Sequence, residues 1–240
     1  MKKIVIAIDG PAGSGKSTLA SRLARKLGYV NIESGAMYRA LGLKAIRSDV
    51  SVNDEAALVE LAHNSHIDLE PMRDGNRVLL DGEDVSSRVR EQDVTEAASK
   101  VSVHPQVREW MVARQQKMGT QGGIVMEGRD IGTKVFPDAE VKIFLDAAPE
   151  VRGDRRFKQD PVGVGEKQPE SVLKELRERD RRDRTRAASP LAPAADAVVI
   201  DSTDMRIEEV VARAEEIIRK KIGRAGERES VGSPESPELP

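Results

Sequence analysis

Residues 10 to 17 read GPAGSGKS. They lie between the apolar run Lys3 to Ile8 and a segment, Gly15 to Leu27, in which Leu19, Leu23 and Leu27 recur at four-residue spacing. A β-rich run, a glycine turn and an amphipathic helix make a strand, loop, helix unit. In that context the stretch fits G-x-x-x-x-G-K-[ST]. Its glycines let backbone N–H groups turn inward around a phosphate with no Cβ in the way, and the helix N-terminus adds partial positive charge. Lys16 then bridges the outer phosphates, and Ser17 places its hydroxyl on a magnesium ion. A plain glycine turn explains scattered glycines but not the whole motif. Nucleoside triphosphate binding by Gly10, Pro11, Ala12, Gly13, Ser14, Gly15, Lys16, Ser17 and Thr18 is therefore expected.

The 240-residue chain suits one α/β core with small appendages. Although 33% of residues are charged, the net charge is -2, so there is no global pull toward nucleic acid or an anionic membrane. Any cationic site must be local. The chain has no cysteine, which excludes a disulfide framework and thiolate metal sites and suits a reducing, cytoplasmic setting. The start, MKKIVIAIDG, soon meets Asp9 and Gly10, too early for a signal or membrane segment.

Beyond the first unit, Tyr29 to Ile32 reads as a strand, Ala36 to Ile46 as a helix and Asp54 to His63 as a shorter helix. Between Ile67 and Val85, the pairs Asp74-Gly75 and Asp81-Gly82 separate short apolar runs, which is hairpin chemistry. A small antiparallel insert is expected there. Helical periodicity resumes from Glu91 to Lys117, broken at Pro105; GGIVMEG and VKIFLD then read as strands buried on both faces of a parallel sheet. Val151 to Arg186 reads as helix, mobile loop, helix. A strand at Ala197 to Asp201 and a helix at Ile207 to Ile222 close the core, and 224–240 is expected to be a disordered tail. The fold class is α/β: a P-loop three-layer fold with a five-stranded parallel sheet, an antiparallel insertion at about 64–104 and a lid at about 151–186.

The P-loop alone does not separate GTPases, motors and kinases. No Asn-Lys-x-Asp segment is present to read guanine, and large ATPases need more chain. These absences favour a small kinase. In KELRERDRRDRTR, Arg179, Arg182, Asp183 and Arg186 share a helix face by three- and four-residue spacing. A solvated charged helix explains part of this run; guanidinium forks closing on two phosphorylated substrates explain the rest.

The stretches IDGPAGSGKST, SGAMYRAL, ASKVS, GRDIGTKVFPDA, KIFLDA, ERDRRDRTRA and PAADAVVIDST run from about residue 4 to 205. Together they resemble the bacterial-type cytidylate kinases. The resemblance implies magnesium-assisted phosphoryl transfer from ATP to CMP or dCMP, in pyrimidine nucleotide metabolism, with Lys16, Arg129 and Arg179 catalytic. It further implies that Ser34 touches the acceptor nucleotide and Arg39 its phosphate, and that Ser99 and Arg108 face the cytosine. Arg129 and Asp130 would hold phosphate and base; Arg179, Asp183 and Arg186 would meet phosphate, ribose and base. The insert lies where this family enlarges its monophosphate-binding region. Two departures stand out, Glu33 where Asp is frequent and the composition of 159–170, and neither is expected to touch a named contact.

An acceptor that is already a phosphate needs placement and charge neutralisation rather than a general base. The three histidines, His63, His66 and His104, lack metal-ligand spacing and read as structural or solvated. Asp130, an acceptor-only carboxylate, would favour the 4-amino group of cytosine over the carbonyl of uracil, unless it serves magnesium or caps a loop. Asp9 and Asp146 also end apolar runs and could hold metal-bound water. Ser34, Tyr38 and Trp110 have structural readings as helix cap, core aromatic and helix-packing residue. The other readings are a UMP or AMP kinase and a P-loop RNA-binding regulator. With two tyrosines, three phenylalanines and one tryptophan, stacking platforms for the latter are few. Small-molecule substrates, no nucleic acid or membrane partner, and a monomer are expected.

Overall fold

The computed structural model describes residues 3–72, 75–159 and 168–230. Strands β1 (Val5–Asp9), β2 (Val30–Glu33), β6 (Ile124–Gly128), β7 (Val141–Asp146) and β8 (Val198–Asp201) form a five-stranded sheet in the order β2-β6-β1-β7-β8. Every neighbouring pair is parallel, with Ala7 opposite Met126 on one side and Lys142 on the other. The apolar runs become central strands because both faces are covered. On one face Ile6, Ile8 and Ile143 meet Leu19 and Leu23 of α1 (Lys16–Leu27) and Ile217 of α8 (Ile207–Ser230). On the other, Ala7, Ile32 and Met126 meet Val112 of α5 (Pro105–Met118) and Ile131 and Val135 of a π-turn, Ile131–Val135.

The expected insert is present. β3 (Ile67–Met72), β4 (Gly75–Leu80) and β5 (Glu83–Asp84) form an antiparallel sheet with Leu69 opposite Val78. Asp81 and Gly82 make the β4 to β5 turn at φ 52° and 85°, the two successive left-handed residues that an Asp-Gly hairpin supplies. The other expected turn, at Asp74, lies outside the described residues. A second core joins this sheet to α2 (Ser34–Arg47), α3 (Glu55–His63) and α4 (Gln92–Val101) through Leu41, Leu58, Ile67, Leu80 and Val94. Buried Asn76 ties the insert to the parallel sheet's edge: its Nδ2 donates to the Asn31 carbonyl and its Oδ1 accepts from the Glu33 N–H, both at 2.9 Å.

The lid segment is built from α6 (Pro149–Gln159) and α7 (Pro169–Thr185), and Phe157, Val172 and Leu176 pack on Ala12. Most of the expected loop at 159–170 falls outside the described residues. One boundary is corrected. Helix α8 runs to Ser230, past the point where the tail was expected to start, because RAGERES consists mainly of helix formers and meets no proline. Residues 231–240 lie outside the described residues. Among those described, no helix is long and apolar enough to cross a membrane.

Gly42 allows α2 and α4 to approach: a Cβ there would lie 2.9 Å from the Ala98 backbone nitrogen and 3.3 Å from the Ala97 Cβ. Gly42→Val is therefore expected to destabilise the protein by about 1–3 kcal/mol through overpacking. Chemical denaturation checks this, and an unchanged midpoint contradicts it.

Candidate functional site

The C-terminal ends of the parallel strands bring together the P-loop, the start of α2, the Gly128 to Asp130 turn and the start of α6. This is the crevice where open parallel sheets present ligands. The P-loop backbone needs its glycines. Gly10 has φ 151° and a Cβ there would lie 2.0 Å from the Leu145 carbonyl oxygen; Gly13 has φ 77° and would meet the Arg152 carbonyl oxygen at 2.9 Å. Left-handed Gly15 precedes α1 with no side-chain cap, so the first-turn N–H groups suit an anion.

Lys16 is 5% exposed, and its Nζ donates to the Pro11 carbonyl at 2.7 Å. Burial, reinforced by the like charge of Arg129, pushes its ammonium down to about 7. The Ser17 hydroxyl donates to Glu127 Oε1 at 3.1 Å. Two hard oxygen donors beside a phosphate cradle fit magnesium, which takes few protein ligands and completes its shell with phosphate and water. The described residues contain no group of three or more acidic, histidine or cysteine side chains suited to a metal. Glu127 was missed in the sequence; its signal is that it directly follows the apolar run Ile124 to Met126.

Asp9 and Asp146 are engaged elsewhere. The Asp9 oxygens accept from the Ile131 and Gly132 N–H groups at 2.8 and 2.7 Å and so pin the π-turn, while burial raises its carboxyl to about 6. Asp146 accepts from the Ala147 N–H at 2.9 Å and lies 3.6 Å from Arg184.

Cationic side chains converge on the cradle. Burial and neighbouring Arg129 lower the Arg179 guanidinium to about 10, and burial also lowers that of Arg39. The Nε atoms of Arg39, Arg179 and Arg182 are buried with no partner in the protein. Asp183, 4% exposed, accepts from Arg129 Nε at 2.8 Å and lies 3.8 Å from Arg186. Burial opposes that carboxylate's charge, but Arg129, Arg179 and Arg186 hold its pKa below the usual range. The expectation for Glu33 is corrected: its Oε2 lies 3.5 Å from Arg39, while burial and Glu127 push its carboxyl up. It reaches a candidate site residue because it immediately precedes α2, which carries Arg39.

A second cluster surrounds Asp130. Arg108, 3% exposed, donates to the Ser102 carbonyl at 3.1 Å, pairs with Asp130 Oδ2, and lies 5.5 Å over the Tyr38 ring. Asp130 Oδ1 is 4.0 Å from Arg186. Four buried polar atoms in and around this cluster have no hydrogen-bond partner in the protein: the Tyr38 hydroxyl, Ser99 Oγ, Arg108 Nε and Arg186 Nη2. Such a concentration of unsatisfied groups is costly unless a polar ligand meets them. The sequence reading of Tyr38 as a core aromatic overlooked this hydroxyl, which burial raises to about 12 and so keeps protonated. Asp130 makes no capping bond. Ser34 is not the cap either: Glu33 precedes the helix, and the Ser34 hydroxyl donates to the Glu127 carbonyl at 2.8 Å. The histidines lie apart, with His104 Nε2 2.8 Å from the Val52 carbonyl, His66 beside Asp68, and His63 edge-on to Trp110. Trp110 packs as expected, with Arg114 over its ring at 4.2 Å.

A family model for cytidylate kinase matches residues 6–220. A cytidylate kinase of Enterococcus faecalis is 50% identical over 221 residues, covering 92% of this chain and 98% of that protein. The cytidylate kinase of Pasteurella multocida is 47% identical over 220 residues, covering 92% and 97% respectively. That of Geobacillus kaustophilus is 48% identical over 222 residues, covering 92% and 99%.

The position of Lys16 generates a proton-linkage prediction. Its pKa of about 7 leaves it mostly neutral at about pH 8, and polyphosphate beside it restores the charged form. ATP binding at that pH is therefore expected to take up about one proton, with the uptake fading below about pH 6, where the free protein is already charged. Calorimetry in buffers of different ionisation enthalpy measures it; equal uptake by Lys16→Met contradicts the assignment.

Proposed function

The chain belongs to the cytidylate kinase family, and from that premise we propose that it transfers the γ-phosphoryl group of ATP to CMP and dCMP, giving ADP and CDP or dCDP. The observation that carries the reading is the adjacency of the two sites: a P-loop whose lysine is crowded by Arg129 and Arg179, and the Asp130 cluster joined to it through Asp183. Two nucleotides meeting phosphate to phosphate satisfy both.

The P-loop backbone from Gly10 to Gly15, with Lys16 and Thr18 at the helix start, binds the ATP phosphates. Magnesium, held by Ser17 with Glu127 behind it, would neutralise part of the triphosphate charge. Arg39, Arg129 and Arg179 hold the acceptor phosphate and the moving phosphoryl group in line. Charge neutralisation and placement account for catalysis, since the acceptor oxygen is already ionised near neutral pH. Asp183 orients Arg129 and faces the ribose. The base enters the Asp130 pocket, where Arg108, Arg186, Ser99 and the Tyr38 hydroxyl supply partners. Ser34 supports the acceptor side through the Glu127 carbonyl. Closure of α6 and α7 over the nucleotides excludes water that would hydrolyse ATP. The reading extends to a monomeric, cytoplasmic enzyme acting on small molecules.

Cytosine selectivity follows from charge. Asp130 Oδ1 can accept from a 4-amino group but repels a 4-carbonyl oxygen, whereas the RNA-binding alternative has no comparable support. ADP release with CMP, dCMP, UMP and AMP is expected to be fastest with the first two. Asp130→Ala is expected to reduce the CMP to UMP preference in kcat/KM by about 10- to 100-fold, the range of one lost base contact. An unchanged ratio removes Asp130 from specificity, and no CMP-dependent ADP release removes the reaction. Lys16→Met is expected to lower kcat about 100- to 1,000-fold while leaving the circular dichroism spectrum unaltered. Full turnover in that variant contradicts the role of Lys16.

A further inference from the structure

Arg152 of α6 carries no role in the reaction described so far, yet it is 3% exposed and its guanidinium is used in three directions. Nε donates to the Ala147 carbonyl at 2.8 Å, Nη1 to the Ala12 carbonyl at 2.9 Å, and Nη2 lies 2.6 Å from Asp180 Oδ2. The three acceptors belong to three parts of the site: the turn after β7, the tip of the P-loop, and the helix that carries Arg179 and Asp183.

Burying a guanidinium is expensive, and stability alone is often served as well by apolar residues of similar volume. The geometry does something apolar packing cannot. In a trans peptide the carbonyl of one residue and the N–H of the next point in opposite directions. With the Ala12 carbonyl drawn to Arg152, the Gly13 N–H is turned away from the guanidinium. Close packing locks the arrangement, because a Cβ on Gly13 would lie 2.9 Å from the Arg152 carbonyl oxygen. Asp180 is adjacent to Arg179 and buried at 8% exposure, so its pairing with Arg152 sets the height and rotation of that part of α7 against the loop.

We propose that Arg152, acting with Asp180, is a positioning residue that holds the P-loop peptide and the Arg179-bearing helix in one register, so that the phosphate cradle and Arg179 act on the same phosphoryl group. The proposal rests on the kinase reading of the site. Each nitrogen of the Arg152 guanidinium already faces a protein acceptor. Its contribution therefore appears in the chemical step more than in the binding of either substrate, because a small misplacement of a charge-neutralising group is felt most in the transition state.

The test is steady-state kinetics on the full chain with ATP and CMP, alongside thermal denaturation, for wild type, Arg152→Met, Arg152→Lys and Asp180→Asn. Arg152→Met is expected to lower kcat about 30-fold or more while the KM values for ATP and CMP move less than about threefold. Arg152→Lys keeps the charge but cannot span three acceptors, so kcat stays about 10-fold or more down even where Tm recovers. Asp180→Asn preserves shape and is expected to lower kcat about three- to tenfold; it decides the matter if Arg152→Met does not fold. Variants with a reduced Tm but wild-type kcat, measured well below that Tm, overturn the proposal. So does a loss confined to one KM. Wild-type protein without CMP-dependent ADP release overturns the kinase reading itself, a result distinct from either.

Discussion

Crowding of like charge at the C-terminal edge of the parallel sheet organises the molecule. Lys16, Arg39, Arg129 and Arg179 are held near one another and largely out of water, which depresses the lysine to about 7 and Arg179 to about 10. Burying one cation is costly, and gathering several is more so unless anions are present. Acidic side chains offset only part of that charge. Asp183 holds Arg129 and Glu33 holds Arg39, while buried guanidinium nitrogens remain without a protein partner. In the proposed reading phosphates supply the balance. The affinity for highly charged substrates and the stabilisation of a moving phosphoryl group therefore have the same electrostatic origin.

The fold serves this constraint by keeping backbone and side chains from relaxing away from one another. Both faces of β1 are buried, so the loop that leaves it is fixed at its root. Asp9 spends both carboxylate oxygens on the π-turn that follows Asp130, and Asn76 spends its amide on the backbone of β2 just ahead of Ser34. These contacts hold the turns that present Asp130 and Arg39. Arg152 plays the corresponding part on the lid side, linking the P-loop to α7.

In the proposed reading, discrimination between bases is separated from phosphate handling by a short distance and by the sign of the charge. In the Asp130 cluster a carboxylate faces guanidinium groups, with Tyr38, Ser99, Arg108 and Arg186 offering buried polar atoms that lack hydrogen-bond partners. A ligand edge that combines a donor with acceptors satisfies the set, as cytosine does. Asp183 lies against both regions, 2.8 Å from Arg129 and 3.8 Å from Arg186, and so binds the two halves into one site.

Features whose cause is local were legible in the sequence: the glycine loop, the buried strands, the Asp-Gly turn of the insert, and the charged helix carrying Arg179, Asp183 and Arg186. Each depends on residues within a few positions of one another, so spacing records it. The resemblance placed Arg108 and Asp130 in one site, where the structure pairs them. What spacing could not supply was the choice among equivalent-looking acids and the identity of the supports. Glu127 and Asp130 stand close in sequence, yet only the packing of β6 beside α1 turns one to Ser17, while Arg108 of α5 claims the other. Tyr38 reads as a core aromatic until its hydroxyl is found buried without a partner. Asn76 and Arg152 meet acceptors far away in the chain, and no periodicity records such pairings. The sequence by itself thus determined which chemistry the chain carries, because local backbone geometry and residue type suffice for a phosphate cradle. Only the tertiary structure decided which charges face one another, because burial and distance between remote segments determine that.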